Sequence, residues 1–212
     1  MPALLSPFFL IVLLFLVLAI IWRNNARKYI SSGTVASAYD AWTQDKLLER
    51  LWGEHIHLGF YPSGKKNIDF RKAKVQFVHE LVKWSGLDKL PQGSRILDVG
   101  CGIGGSSRIL AEYYGFNVTG ITISPAQVKR ARELTPHGLN CNFQVMDALD
   151  LKFEDGSFDA VWSVEAGAHM NDKTRFADEM LRTLRPGGYL ALADWNSRDL
   201  DAYPPSFFEK WV

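Results

Sequence analysis

Apolar residues run from Ala3 to Trp22, broken only by Ser6 and Pro7. About 20 such residues span a bilayer as a helix. The run begins without a basic residue, at Met1-Pro2-Ala3, and ends at Ile20-Ile21-Trp22 without a small-residue cleavage site. It therefore predicts a transmembrane anchor rather than a secretory leader, with a buried core helix as the competing reading. Arg23, Arg27 and Lys28 follow, and the positive-inside rule keeps them, and what comes after, on the cytoplasmic side. Beyond this flank, Val35, Tyr39 and Trp42 recur at helical spacing. So do Val75, Val78 and Val82, with Phe77 and Leu81 widening the apolar side. Between the two patterns lies Leu51-Trp52-Gly53-Glu54-His55-Ile56-His57-Leu58-Gly59-Phe60-Tyr61, a loop dense in aromatics and histidines.

Leu90-Pro91-Gln92-Gly93-Ser94 breaks the pattern, and short apolar strands then alternate with amphipathic helices. That alternation predicts a parallel sheet. The predicted strands are 95–99, 117–123, 142–146, 158–164 and 189–193, and a helix is expected over 105–114. Ser124-Pro125-Ala126-Gln127 reads as a capped helix start. Asn171-Asp172 opens another helix, with Phe176, Met180, Leu181 and Leu184 expected to face the sheet and Arg185-Pro186-Gly187-Gly188 to stop it. The chain thus divides into an anchor with its basic flank (1–29), a helical cap (30–90) and a Rossmann-like α/β core (91–212). A sheet of this kind usually continues past strand five with a helix and an antiparallel pair, so the core is expected to be truncated at its C-terminus.

At 212 residues and 47% apolar, the chain has room for one α/β domain and the N-terminal addition. A net charge of +1 gives no electrostatic case for nucleic acid. Lys65-Lys66 and Lys129-Arg130-Arg132 read as solvated faces. Cys101 falls in a glycine loop and Cys141 in a strand, which suits two free thiols in a reducing compartment better than a disulfide framework.

The candidate chemistry starts at Leu97-Asp98-Val99-Gly100-Cys101-Gly102-Ile103-Gly104-Gly105. Glycines between a strand and a helix let the backbone approach a ligand closely. Gly100, Gly102 and Gly105 also satisfy a dinucleotide fingerprint, so a nicotinamide enzyme is the rival reading. Asp98 tilts the choice, because its carboxylate suits an ammonium ligand and repels a pyrophosphate. Asp147-Ala148 follows strand three, where an adenine amine can be read, and Leu184-Arg185-Pro186-Gly187-Gly188 precedes a strand.

On these residues, 95–195 resembles a class I S-adenosylmethionine-dependent methyltransferase. Val118-Thr119-Gly120-Ile121-Thr122-Ile123-Ser124-Pro125, Trp162-Ser163-Val164-Glu165-Ala166-Gly167-Ala168-His169-Met170 and Trp52-Gly53-Glu54-His55-Ile56-His57 narrow the resemblance to the tocopherol-methyltransferase branch. The Glu-Ala-Gly-x-His-Met run and the N-terminal segment are most similar to its cyanobacterial members. The resemblance implies S-adenosylmethionine as cofactor, with Asp98, Gly100, Cys101 and Gly102 at its methionine end and Asp147 and Ala148 at the adenine. Class I enzymes commonly end strand two on an acidic residue that grips the ribose. Thr122 stands there, so Thr122 and Ile123 are expected to line the pocket with weaker ribose contacts, unless Thr122 is a strand filler.

The implied reaction methylates a ring carbon of 2-methyl-6-phytyl-1,4-benzoquinol, and of its solanesyl analogue, in tocopherol and plastoquinone synthesis. γ-Tocopherol methylation is the same-class alternative, and a catalytically silent S-adenosylmethionine-binding module a third reading. Glu165 and His169 follow strand four, at the sheet edge where such folds bind ligands. Either can serve as general base on the quinol hydroxyl; alternatively Glu165 organises its loop, also toward the cofactor, and His169 caps a helix. Tyr39 is a candidate to close over the cofactor, His55 and His57 to contact substrate from a lid, and Trp195 to flank the prenyl chain. No metal is expected, since no ligand set accompanies the histidines. The expected setting is a thylakoid or plasma membrane of a cyanobacterium-like cell, with the catalytic part on the cytoplasmic or stromal-equivalent side and the prenylated quinol as bilayer partner.

Overall fold

The computed structural model describes residues 13, 14, 16, 17, 32–63 and 67–196. The chain forms two compact units, Met1–Ser31 and Ser32–Val212. In the first, Leu13, Leu14, Leu16 and Val17 are helical. The rest of the anchor expected over 1–29 lies outside the described residues, among which no helix is long and apolar enough to cross a membrane.

The second unit opens with three helices, α1 (Ser32–Gln44), α2 (Leu47–Trp52) and α3 (Phe70–Ser85). There follow β1 (Arg95–Val99), α4 (Gly105–Tyr114), β2 (Asn117–Thr122), α5 (Pro125–Leu134) and β3 (Cys141–Val145). The described chain closes with β4 (Phe158–Val164), α6 (Lys173–Thr183) and β5 (Leu184–Ala193). The five strands pair in the order β3-β2-β1-β4-β5, every ladder parallel. The order reverses between β1 and β4, so crossovers leave to opposite faces and a crevice opens at the carboxyl ends of those two strands.

Both faces are covered, which is why β1 is buried continuously from Ile96 to Val99 rather than at alternate positions. Ile96 packs on one face with Val78, Val82, Leu110, Phe116 and Trp162. Leu97 and Val99 pack on the other with Val161, Phe176 and Met180. The caps follow the sequence. Asp69 accepts the Arg71 and Lys72 N–H groups at the start of α3, and Ser124 Oγ accepts the Gln127 N–H at the start of α5 behind Pro125.

Five local expectations need correction. Strand β3 spans Cys141–Val145 rather than 142–146, and β2 stops at Thr122. Leu181 is 54% exposed, because α6 buries Phe176, Met180 and Thr183, a stripe one helical turn apart that leaves Leu181 turned away. Arg185-Pro186-Gly187-Gly188 is not a separate stop: β5 already begins at Leu184, and these four residues are absorbed in a shift between the Phe158–Leu184 and Ala160–Tyr189 pairs. The six-residue helix α2 takes in Leu51 and Trp52, the first two residues of the expected loop, and is too short a piece for periodicity to show.

Candidate functional site

The crevice is built from the glycine loop after β1. Gly100 has φ +80° and its amide, like that of Cys101, donates to the Ile121 carbonyl at 2.9 Å. A Cβ on Gly100 would stand 2.4 Å from the Cβ of Ala166 in the loop after β4. The two loops at the switch point therefore touch only because Gly100 has no side chain. Gly100→Ala is expected to cost at least about 2 kcal/mol, from the left-handed backbone and the collision together; a thermal melt unchanged from wild type would contradict it. A Cβ on Gly102, at φ +56°, would find Gln127 Nε2 as its nearest neighbour at 4.0 Å, so the space beside this backbone is open.

Asp98, one residue before the end of β1, is 2% exposed. Ser107 Oγ donates to its Oδ2 at 2.5 Å, and no cation pairs with it among the described residues. Burial pushes its pKa up to about 7, against which the Ser107 bond works. A buried carboxylate lacking a counter-charge beside a bare glycine backbone fits a ligand that brings its own ammonium. The Cys101 thiol lies in the same loop, and burial pushes its pKa well up, so it presents no thiolate.

Across the cleft, Thr122 Oγ1 donates to Gln127 Oε1 at 2.6 Å. The hydroxyl proton of Thr122 is thereby committed inside the protein, and the Gln127 amide is the group turned toward Gly102. Ile123 is partly buried just beyond. Asp147 accepts the Leu149 N–H with one oxygen at 2.9 Å, and Ala148 is buried. The cap closes the other side, leaving a narrow cleft lined by Tyr39, Trp42, Leu48, Gly53, Ile103 and Gln127 among others. Helix α1 docks through Asp40, which accepts from Ser124 Oγ at 2.5 Å and from the Ala126 N–H at 3.1 Å.

Glu165, Tyr39 and His169 come together. Tyr39 Oη lies 2.8 Å from His169 Nε2, with the rings edge to face at 5.4 Å. Burial lowers the pKa of His169, with Asp194 opposing and Lys173 adding; burial and Glu165 raise that of Tyr39. Glu165 has φ +51°, a left-handed backbone rare for a residue with a side chain, and strain of this kind gathers at functional loops. Its Oε1 accepts the Leu58 N–H at 3.0 Å, joining the lid loop to the loop after β4.

The lid histidines are turned inward. His57 is 8% exposed and bonds through Nδ1 to the Leu58 carbonyl at 2.7 Å and through Nε2 to His55 Nδ1 at 3.2 Å. Burial, with the charges of Arg108 and Lys74 and a neighbouring His57, pushes His55 down to about 3. His55 rests against Gly105, where a Cβ would meet its ring at 2.9 Å. Trp195 lies past β5, 60% exposed, and is not brought into this cluster. Sequence reasoning missed Asp40, Gln127, Glu54 and Lys74. Of these only Gln127 carried a signal, as the residue capped by Ser124; the others act across distances the sequence does not encode.

A doubly wound parallel sheet with a glycine loop, a buried acid and a capped cleft at its carboxyl edge defines the nucleoside-cofactor class of α/β proteins. Residues 97–192 of the chain match the family described as Methyltransferase domain. It is 58% identical over 99% of its length to the 2-methyl-6-phytyl-1,4-hydroquinone methyltransferase of Synechocystis sp.. It is 42% identical over 74% of its length to the chloroplastic tocopherol O-methyltransferase of Arabidopsis thaliana. It spans 66% of the first relative and 48% of the second. Among solved structures, the [4+2]-cyclase SpnF superposes with a TM-score of 0.67 at 31% identity, covering 76% of this chain and 58% of that one. A cyclase on this fold means that the reaction must be argued from the site.

Proposed function

We propose that the protein transfers the sulfonium methyl of S-adenosylmethionine to a ring carbon of 2-methyl-6-phytyl-1,4-benzoquinol, and of the solanesyl analogue. The observation that carries this reading is the meeting of Tyr39, Glu165 and His169 beside the glycine loop, in a chain 58% identical to a relative of that name. When bound, the cofactor supplies an electrophilic methyl group. Asp98 would pair with its ammonium, the Gly100-Cys101-Gly102 backbone would receive its methionine end, and Gln127, with Thr122 and Ile123, would face the ribose. Asp147 and Ala148 would meet the adenine. The aromatic faces of Tyr39 and Trp42 suit a sulfonium.

The quinol ring is a weak nucleophile until its hydroxyl is deprotonated. His169, held neutral by burial, is the base in this reading, and the phenol of Tyr39 already occupies the kind of position a quinol hydroxyl would take against Nε2. Glu165 holds the lid through Leu58 and adds negative charge beside them. Holding donor and acceptor in line supplies a large part of the rate. His55 and His57 bond to each other in the lid and are its candidate substrate contacts; Trp195 is the candidate flank for the prenyl chain.

Residues 3–22 serve as a membrane anchor in this reading, with Arg23, Arg27 and Lys28 on the cytoplasmic or stromal-equivalent side. A phytyl-bearing quinol resides in the bilayer, so a tether sets the site beside its substrate pool. The cyanobacterial and chloroplast relatives support a photosynthetic organism as the setting. The test is transfer of labelled methyl from S-adenosylmethionine to 2-methyl-6-phytylbenzoquinol, with γ-tocopherol in parallel, in membranes holding the full-length protein. Label in the benzoquinol product is the expected result. Label in tocopherol alone would overturn the substrate, and label in neither, with cofactor bound, would make the protein a silent binding module.

A further inference from the structure

Lys74 stands in the first half of α3, a helix whose other buried positions are apolar, and only 3% of the residue is exposed. A buried ammonium is costly unless its donors are satisfied. Its Nζ donates to the Trp52 carbonyl at 3.0 Å and the His55 carbonyl at 2.7 Å, and it lies over the rings of Trp52 at 4.8 Å and Phe70 at 5.2 Å. Its two acceptors are the first and last residues of one tight turn, Trp52-Gly53-Glu54-His55. Trp52 also ends α2, and the carbonyls at a helix end have no partner within the helix. Arg71, one turn earlier on α3, takes the two before it, Arg50 at 2.8 Å and Leu51 at 3.4 Å.

What this turn carries makes the pin matter. Glu54 reaches Arg108 of α4 at 2.6 Å, and the Glu54 carbonyl and the His55 ring press on Gly105, the first residue of α4. The turn is thereby set over the end of the glycine loop. Glu54 is 49% exposed at its side chain, so its ion pair alone is a weak tether. We infer that Lys74 is a positioning residue for cofactor binding: it clamps both ends of the Trp52–His55 turn and so holds the lid against the glycine loop. A lysine suits the task because it offers several donors on one point charge that can also rest on aromatic faces.

The inference rests on the methyltransferase reading for its ligand, and its test separates the two. Lys74→Met keeps the length and apolar stem but removes the donors; Lys74→Arg keeps charge and donors. Binding of S-adenosylmethionine by calorimetry is expected to weaken about tenfold or more in Lys74→Met and to be largely retained in Lys74→Arg, while kcat at saturating cofactor changes much less than KM. Amide exchange over Gly53–His57 should quicken in Lys74→Met with exchange in the rest of α3 unchanged, a readout independent of the cofactor; a uniform rise would mean general destabilisation and overturn the pin. Wild-type affinity in a folded Lys74→Met would also overturn it. If Lys74→Met fails to fold, Lys74→Gln, which loses the charge and the reach to both carbonyls, takes its place beside Lys74→Arg, with weakened affinity expected in the glutamine variant alone; equal affinity in both overturns the inference. A wild-type protein that binds no S-adenosylmethionine would sink the methyltransferase reading, and the exchange comparison would still decide the pin.

Discussion

Asp98→Asn is expected to abolish tight binding of S-adenosylmethionine while making the ligand-free protein more stable at neutral pH. Burial raises the carboxyl of Asp98 to about 7, so between the ordinary carboxylate range and pH 7 the folded protein holds this proton more firmly than the unfolded chain. Its contribution to stability therefore declines as pH rises through that window, and above it the ionised group is a standing cost, at roughly 1.4 kcal/mol for each unit of displacement. Asparagine removes the charge and can still accept from Ser107, so the melting temperature at pH 7.5 should rise. The cofactor ammonium loses its partner in the same change, and leaving it unpaired in a buried site costs about 2–5 kcal/mol. In the wild type, affinity should increase with pH up to about 7, as the carboxylate becomes available, and Asp98→Asn should flatten that rise. Calorimetric titration of both proteins across this range is the measurement; an unchanged affinity in Asp98→Asn would remove Asp98 from the methionine end.

His169→Ala should lower kcat by about 10²- to 10⁴-fold, the usual worth of a positioned general base, with much less effect on cofactor affinity. Because burial lowers the pKa of His169, the neutral ring prevails at pH 7, and kcat should fall only on the acid side of the ordinary histidine range. Tyr39→Phe then reports the route of the proton. A loss as large as that of His169→Ala means the proton passes through Tyr39, whereas a modest loss in kcat with weaker cofactor binding means the tyrosine closes the cleft and His169 meets the quinol itself. Undiminished turnover in His169→Ala, measured with labelled cofactor, would take it out of the mechanism.

The strands and helices of the core, the glycine loop and the acid before it were legible along the chain because each depends on neighbours in sequence: period, capping and the turn chemistry of glycine. Ser124-Pro125-Ala126-Gln127 starts α5 as read, and strands β1 and β4 have the predicted bounds. Leu181 was misread because one apolar residue beside a stripe looks like part of it until the stripe meets its sheet.

What the sequence determined by itself is the class of domain and the residues that line the carboxyl edge of β1. Only the tertiary structure decided how the cap meets that edge. Tyr39 against His169, Leu58 against Glu165, Asp40 on Ser124, Gln127 on Thr122 and Lys74 under the lid turn each join chemical groups by a bond fixed in space. Most of these pairs are separated by tens of residues in the chain. Local propensity sets which segments are rigid, but which side chains of two rigid segments touch follows from packing the whole sheet, and no short-range pattern records it.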